Sequence, residues 1–315
     1  MKILKIVLFI ILFLSISTII VFTHKDIPLN KLKTKYTNSY SSFVNVSGIN
    51  VHYRDEGIFT DSIPIVLIHG TGSSLHAYDI WSKNLKKNKR IIRMDLPAFG
   101  LTGPFLNNDY SISNYITFLK EFLDNLNIRQ CILVGNSLGG EIAWRFAVQE
   151  PVIARKLILI DAGGYPVISN SIPIAFKLVK IPILNKILTY ITPRFIIRSS
   201  IENVYFDKSR VSDSLVSRYF DLTLRKGNRE AIIKRLEVST SLTNSIKTYN
   251  SVRKIKQPTL IIWGSNDQLI PVKNAYKFKN DITNSKLIVL QRTGHVPMEE
   301  KPLESLKHVI DFLKN

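Results

Sequence analysis

The sequence predicts an α/β fold in which a mostly parallel, eight-stranded sheet is flanked by helices. Short apolar runs that are typical of buried strands alternate with segments of helical periodicity along most of the chain. Such alternation indicates a parallel sheet with right-handed crossovers. A Gly-Asn-Ser-Leu-Gly sequence at 135–139 follows one apolar run and opens a helical segment. The interval 162–257 interrupts the alternation and has helical periodicity of its own.

The individual elements follow from these patterns. Residues 43–46 and 49–54 have period-two character across a Ser-Gly turn, which predicts an antiparallel hairpin. Six further strands are expected from apolar runs, at 64–69, 90–95, 131–135, 156–161, 258–263 and 286–290. Helices are expected between most of them, at 76–87, 111–126, 137–149, 272–281 and 301–314. A chain of 315 residues with 45% hydrophobic residues is long enough to bury one large core with a small accessory domain.

The glycine-flanked Ser137 is the candidate nucleophile. A sharp turn between a strand and a helix strains the serine backbone and exposes its hydroxyl, and glycines at the flanking positions remove side chains that would clash. The following segment has an apolar stripe, so Ser137 is expected near the positive end of a helix. The alternative is an ordinary glycine-rich turn without chemistry.

A nucleophilic serine needs a base, and that base needs a carboxylate to orient it. Asp267 follows the apolar run 258–263, and His295 follows the run 286–290. Both are therefore expected beyond the carboxyl ends of strands, where open α/β sheets build their sites. Asp161 also ends a strand, so it is the rival candidate for the acid.

A second loop indicates an oxyanion site. The apolar run at 65–68 leads into His-Gly-Thr-Gly at 69–72. The backbone N–H groups of Thr71 and of Leu138, the residue after the nucleophile, are the predicted oxyanion donors. His69 is expected to brace this loop.

These motifs together resemble the α/β-hydrolase superfamily over residues 43–314. The resemblance is carried by residues 69–72, 95–100 (Asp-Leu-Pro-Ala-Phe-Gly), 135–140, 263–267 (Trp-Gly-Ser-Asn-Asp) and 294–297 (Gly-His-Val-Pro). They look like the branch of lipases, esterases and carbon–carbon-bond hydrolases. Epoxide hydrolases and haloalkane dehalogenases of this fold use an aspartate nucleophile, so Ser137 argues against those reactions. The resemblance implies a core of residues 43–161 and 251–315 and a helical cap at 162–250, inserted after the sixth strand.

The cap sequence bears on the substrate. Residues 172–197 are strongly apolar with basic residues spaced among them, and prolines at 173, 182 and 193 predict short helices with bends. One interpretation is a basic, apolar surface that lies against a membrane and admits lipid-like molecules. The other is that the apolar faces pack on the core while the basic residues are solvated.

The predicted function is hydrolysis of a carboxylic ester, acyl or lipid-like, through Ser137, His295 and Asp267. Such chemistry requires no metal or organic cofactor. Hydrolysis of a carbon–carbon bond beside a carbonyl, or acyl transfer, would use the same residues, since one fold hosts many chemistries. A non-catalytic ligand receptor on the same fold is a third hypothesis, against which the complete set of three residues argues.

Residues 1–24 form a predicted signal-anchor or signal peptide, followed by a linker at 25–42. Lys2 and Lys5 precede an uncharged run of 18 residues from Ile6 to Thr23, which is at the short limit for crossing a bilayer. The expectation is an uncleaved anchor with the catalytic domain outside the cytoplasm. Secretion after cleavage is the alternative. Lysines at 25, 31, 33 and 35 conflict with that orientation by the positive-inside rule.

Charge and cysteine content add two expectations. The net charge is +19, from 43 basic and 24 acidic residues. A basic surface of this kind can bind anionic lipid or nucleic acid. The basic residues are scattered and no nucleic-acid recognition motif is present, so nucleic acid is not an expected partner. The single Cys131 excludes an intrachain disulfide. No pattern indicates an oligomeric state.

Overall fold

The computed structural model describes Ile3, Lys5, Ile6 and Phe9, and then residues 21–241 and 250–314. The apolar run that was interpreted as an anchor therefore lies mostly outside the described residues. Within the described part, no helix is both long enough and apolar enough to cross a membrane.

An eight-stranded sheet forms the centre of the molecule, as the sequence predicts. Its strands occur in the spatial order β1-β2-β4-β3-β5-β6-β7-β8. The first two strands and the β2–β4 pair are antiparallel, and every later pairing is parallel. The strands are β1 (Ser41–Val46), β2 (Ile49–Gly57), β3 (Ile65–Ile68), β4 (Arg90–Met94), β5 (Cys131–Asn136), β6 (Ala154–Ile160), β7 (Thr259–Gly264) and β8 (Ser285–Leu290).

Helices cover both faces of the sheet, because alternate residues of each strand point to opposite sides. Along β3, Val66 and Ile68 belong to one apolar cluster, and Ile65 and Leu67 belong to the other. The first cluster includes buried residues of α3 (Ile112–Asn125), α4 (Leu138–Gln149) and α10 (Lys273–Asp281); the second includes those of α2 (Asp79–Leu85) and α12 (Pro302–Lys314). Because helices cover both sides, β3, β5 and β7 are buried along their whole length and consist mostly of apolar residues.

Five helices of six or more described residues lie between β6 and β7 and form the cap. They are α5 (Ile174–Val179), α6 (Pro182–Leu188), α7 (Arg194–Val204), α8 (Asp213–Thr223) and α9 (Asn228–Ser241). Pro173 and Pro193 immediately precede α5 and α7, and Pro182 is the first residue of α6. Proline suits these positions, because it presets the helical φ angle where the backbone N–H has no helical partner. The structure therefore contains the short helices that the prolines predict.

The predicted linker at 25–42 is more structured than expected. Helix α1 (Leu29–Tyr36) lies within it, and β1 begins at Ser41. Leu32 and Tyr36 are buried against Leu101 and Leu222, the latter in cap helix α8. The pattern was missed because α1 is only eight residues long and rich in lysine. Its two buried side chains are too few to show helical periodicity.

Candidate active site

Ser137 occupies a strained turn between β5 and α4. Its φ of 54° and ψ of −114° are unusual for a residue with a side chain. The neighbouring glycines are required by space, because a β-carbon on Gly135 would lie 2.2 Å from the Gly139 carbonyl oxygen, and one on Gly139 would lie 2.2 Å from the Ile68 carbonyl oxygen. The turn therefore has the geometry expected of a nucleophile elbow.

His295 and Asp267 are in direct contact. The Nδ1 of His295 lies 2.6 Å from Asp267 Oδ2, and both side chains are buried. The other carboxylate oxygen of Asp267 accepts the backbone N–H groups of Leu269 and Ile270, at 2.8 and 2.9 Å. This loop therefore holds the carboxylate in place. With Nδ1–H donated to Asp267, Nε2 of His295 is left as the proton acceptor.

Asp161, the other candidate for the acid, has different hydrogen-bond partners from Asp267. Its Oδ1 accepts the N–H of Gly264 at 3.0 Å, while its Oδ2 is buried without a hydrogen bond from the described residues. Burial, and then the negative charge of Asp267, raise the pKa of Asp161 well above its ordinary value. The raised pKa favours the neutral form of Asp161, which reduces the repulsion between two carboxyl groups that share one buried site.

Ser137 and His295 line one cavity of about 640 Å³ between the sheet edge and the cap. The Nε2 of His295 is buried and has no hydrogen-bond partner among the described residues. Much of the wall consists of apolar side chains from the cap, including Ile172, Phe176, Val179, Ile196, Ile197, Ile232 and Leu236. A reacting group at Ser137 would therefore be enclosed with a largely apolar part of the same molecule.

The predicted oxyanion loop lies against the elbow. Thr71 and Leu138 both line the cavity, and a β-carbon on Gly70 would lie 3.0 Å from Ser137 Cβ. His69 lies behind this loop. Its Nε2 accepts the N–H of Leu96 at 2.9 Å, so its Nδ1 donates to the Gly70 carbonyl oxygen at 2.8 Å. Burial lowers the pKa of His69, which keeps it in the neutral form that this arrangement requires.

Asn136 makes a contact that the sequence analysis did not anticipate. Its side-chain amide donates to the carbonyl oxygens of Ile160 and His295, at 3.2 and 3.0 Å. The residue before the nucleophile thus holds the backbone of the histidine loop. The two partners of Asn136 are 24 and 159 residues away in the chain, so the elbow motif alone does not predict these hydrogen bonds.

A second unanticipated feature is an acidic pair that joins the cap to the histidine loop. Glu300 accepts the backbone N–H groups of Gly294, Phe206 and Asp207, at 2.7, 3.2 and 2.8 Å. Glu299 accepts hydrogen bonds from three cap side chains, those of Tyr205, directly after α7, and of Arg218 and Tyr219, in the middle of α8. Both acids lie on the short helix α11 (Pro297–Glu300), directly after His295. No motif marks them in the sequence.

Asp161, Asp267 and His295 are also the one cluster of possible metal ligands within the described residues, with one ligand atom of each within 4.8 Å of the others. The 2.6 Å contact between His295 and Asp267 is a hydrogen-bond length and leaves no space for an ion between these two atoms. The cluster therefore fits proton transfer better than metal binding.

Comparison with known sequences identifies related proteins. The profile of the Alpha/beta hydrolase family matches residues 65–307. The chain is 28% identical over 272 residues to the uncharacterized hydrolase YugF of Bacillus subtilis (strain 168), covering 85% of this chain and 96% of that protein. It is 27% identical over 280 residues to a 2-hydroxy-6-oxo-2,4-heptadienoate hydrolase of Pseudomonas putida, covering 86% of this chain and 95% of that protein.

Solved structures have the same architecture. The crystal structure of a putative lipase from Acinetobacter baumannii AYE superposes with a TM-score of 0.77 at 24% identity, covering 92% of this chain and 97% of that one. The profile match covers well over half of the sequence and includes the nucleophile elbow, the aspartate loop and the histidine loop. The chain is a member of the alpha/beta hydrolase family.

Proposed function

We propose that this protein is a serine hydrolase that cleaves carboxylic esters with an apolar acyl group. The observation that carries the proposal is the 2.6 Å contact between His295 and Asp267 at a cavity that Ser137 also lines. A buried imidazole with one nitrogen committed to a carboxylate and the other free has the arrangement needed for a general base.

In the proposed mechanism, Ser137 Oγ attacks the ester carbonyl carbon while its proton passes to Nε2 of His295. Asp267 stabilises the resulting imidazolium. The N–H groups of Thr71 and Leu138 bind the tetrahedral oxyanion, and each such donor is worth about 3–4 kcal/mol in related enzymes. The intermediate then collapses, and the leaving alkoxide takes the proton from His295. Water hydrolyses the acyl-enzyme by the same two steps and restores Ser137.

The cavity wall supports an apolar acyl group. The cap side chains that line it are mainly isoleucine, leucine, valine and phenylalanine, and the volume of about 640 Å³ is in the range that encloses small-molecule ligands. Burial of a hydrocarbon chain there would contribute about 0.8 kcal/mol per methylene group. Activity should therefore rise with acyl chain length until the cavity is full.

The proposal predicts that Ser137→Ala lowers kcat on p-nitrophenyl esters by roughly 10⁴–10⁶-fold, because the nucleophile is lost while the fold is retained. Steady-state kinetics with esters of increasing chain length measures this effect. A fluorophosphonate probe followed by peptide mapping should label Ser137. The matched control is Ser113→Ala, an exposed position in α3. A wild-type protein that is inert to both the probe and the esters would instead favour a non-catalytic receptor.

A second candidate reaction is hydrolysis of a carbon–carbon bond beside a ketone. Several curated relatives at 27–28% identity carry names of such hydrolases, including one for 2-hydroxymuconate semialdehyde. The same three residues would serve, with a carbanion as the leaving group in place of an alkoxide. Turnover of a vinylogous 1,5-diketone without turnover of p-nitrophenyl esters would favour this reaction. Transfer of the acyl group to an added alcohol would instead reveal an acyltransferase.

We further propose that the protein is attached to a membrane through the apolar run at 6–23, with the catalytic domain outside the cytoplasm. The end of this run and the chain that follows it lie on the cap: the Thr192 N–H donates to the Phe22 carbonyl oxygen at 3.1 Å, and Asp26 pairs with Arg229. Ile168, Tyr190 and Phe195 are exposed on the cap, at 77%, 67% and 59%. An anchor would thus deliver an apolar surface to the bilayer.

A further inference from the structure

Arg235 of cap helix α9 lines the cavity and is only 5% exposed. Its Nη1 donates to the Tyr110 carbonyl oxygen at 3.4 Å, and its guanidinium carbon lies 6.0 Å from the centre of the Tyr115 ring. Its Nε is buried and has no hydrogen-bond partner among the described residues. The guanidinium is therefore largely removed from water, with one weak hydrogen bond and one aromatic neighbour.

The two other arginines of the cavity wall have carboxylate partners, and the remaining cation there, Lys180, is exposed to solvent. Arg229 pairs with Asp26, and Arg145 lies 2.8 Å from Glu141. Away from the cavity wall, the half-buried Arg218 also has an Nε without a hydrogen-bond partner among the described residues, but its charge is matched by Glu299 at 3.0 Å. Arg235 differs from all three of these arginines.

No carboxylate side chain of the protein matches Arg235. Within the described residues, no Asp or Glu forms an ion pair with it, whereas eighteen other pairs occur. The residues outside the described part contain no Asp or Glu at all. The missing counter-charge is therefore not supplied by an aspartate or glutamate of this chain.

Arginine side chains are protonated at physiological pH, so loss of a proton does not remove the free-energy cost of burying the charge. Leaving a buried charge unpaired costs several kcal/mol, and pairing it with an anion removes much of that penalty. The planar guanidinium presents a fork of N–H donors that fits a carboxylate or phosphate. A ligand that enters the cavity is the remaining source of the anion.

We infer that Arg235 is an anion-binding subsite and that the substrate carries a carboxylate or phosphate in addition to the bond that is cleaved. This deepens the proposed hydrolase function and rests on it. The apolar wall of the cavity would hold the hydrocarbon part of the substrate, Ser137 would meet the acyl carbon, and Arg235 would bind the anionic group. The substrate class is thus an anionic amphiphile, and neutral esters should be poor substrates.

Three substrates of matched chain length test this inference with the full chain. They are p-nitrophenyl hexanoate, the mono-p-nitrophenyl ester of adipic acid, and p-nitrophenyl 6-phosphooxyhexanoate. We expect the wild type to prefer one or both anionic esters, and the one it prefers distinguishes carboxylate from phosphate. Arg235→Gln should lower kcat/KM for the preferred anionic ester by about 10–100-fold, as expected for loss of a charged hydrogen bond. It should change kcat/KM for the neutral ester less than about threefold.

Two further variants separate charge recognition from other effects. Arg235→Lys keeps the charge and should retain an intermediate preference for the anionic ester. Arg155→Gln removes one positive charge from an exposed position in β6 and should leave the ratio between anionic and neutral esters unchanged. Equal losses on all three esters in Arg235→Gln, or a wild type without charge preference, would overturn the inference.

A binding measurement distinguishes failure of this subsite from failure of the hydrolase proposal. In the Ser137→Ala background, octanoate or octyl phosphate should raise the melting temperature more than 1-octanol does, and Arg235→Gln should abolish that difference. If this difference appears but wild type cleaves no ester, the hydrolase proposal fails and the subsite stands. If wild type cleaves neutral esters and the difference is absent, the hydrolase proposal stands and the subsite fails.

Discussion

Two buried aspartates beside His295 have different environments. Asp267 contacts the imidazole and accepts two backbone N–H groups, whereas Asp161 accepts only the N–H of Gly264. Asp267 therefore accepts three hydrogen bonds, whereas burial and then the negative charge of Asp267 raise the pKa of Asp161. Both residues follow buried strands in the sequence, but their hydrogen bonds differ. These hydrogen bonds indicate that Asp267, and not Asp161, orients His295.

The raised pKa of Asp161 predicts a pH-dependent stability. Because the folded-state pKa lies above the unfolded value of about 3.9, the wild type should lose stability as pH rises above about 4 toward the folded-state pKa. Asp161→Asn keeps an acceptor for the Gly264 N–H and cannot ionise. The melting temperature of this variant should therefore increase relative to that of the wild type as pH rises. Thermal unfolding between pH 4 and 9 measures this difference.

The same variant tests which aspartate supports catalysis. Asp161→Asn should retain most of kcat, while Asp267→Asn should lose it by orders of magnitude, because the histidine tautomer would no longer be held. If Asp161→Asn were the inactive one, the assignment of Asp267 would be wrong.

At the scale of elements, helix α11 joins three parts of the molecule. Glu300 binds backbone N–H groups of the histidine loop and of the chain between α7 and α8. Glu299 binds the side chain at the end of α7 and two side chains in the middle of α8. The His295 N–H also donates to the Val204 carbonyl oxygen at the end of α7, at 2.7 Å. The position of the imidazole is therefore tied to the position of the cap.

Glu300→Gln should weaken this junction, because an amide nitrogen would face backbone N–H groups that now meet a carboxylate. With Glu300 only 1% exposed, we expect the free energy of unfolding to fall by about 2–3 kcal/mol, measured by denaturant titration. Activity should fall in parallel as the histidine loop loosens. Glu304→Gln is the control, since its side chain is 50% exposed and pairs only with Lys301 at the surface. Equal effects of the two substitutions would contradict the special role of Glu300.

At the scale of the whole molecule, the N-terminal segment, the cap and the cavity adjoin one another. Residues 22–27 follow the edge of the cap through Thr192, Tyr190, Arg229 and Leu224. Arg229 also lines the cavity, so the segment after the apolar run reaches the cavity wall. Attachment of that run to a membrane would hold the cap close to the bilayer surface.

The proposed anchor predicts different fractionation of two chains. The full protein should stay with membranes through alkaline carbonate extraction, because an apolar run of 18 residues is at the length that begins to span a bilayer. A chain that begins at residue 21 should be released, while its circular dichroism stays that of the folded protein. Release of the full chain as well would refute the anchor. Release of the shorter chain only by salt would indicate that basic residues hold it to the surface.

The alternating strands and helices, the glycine-flanked turn at Ser137 and the breaks at the cap prolines can all be predicted from the sequence. These features depend on periodicity and turn chemistry within a few residues, so local patterns reveal them. The folded chain was needed to show that Asp267 and not Asp161 contacts His295, that α1 packs on the cap, and that Arg235 is buried without a carboxylate partner. Those outcomes depend on partners far away in the chain, which no local pattern specifies.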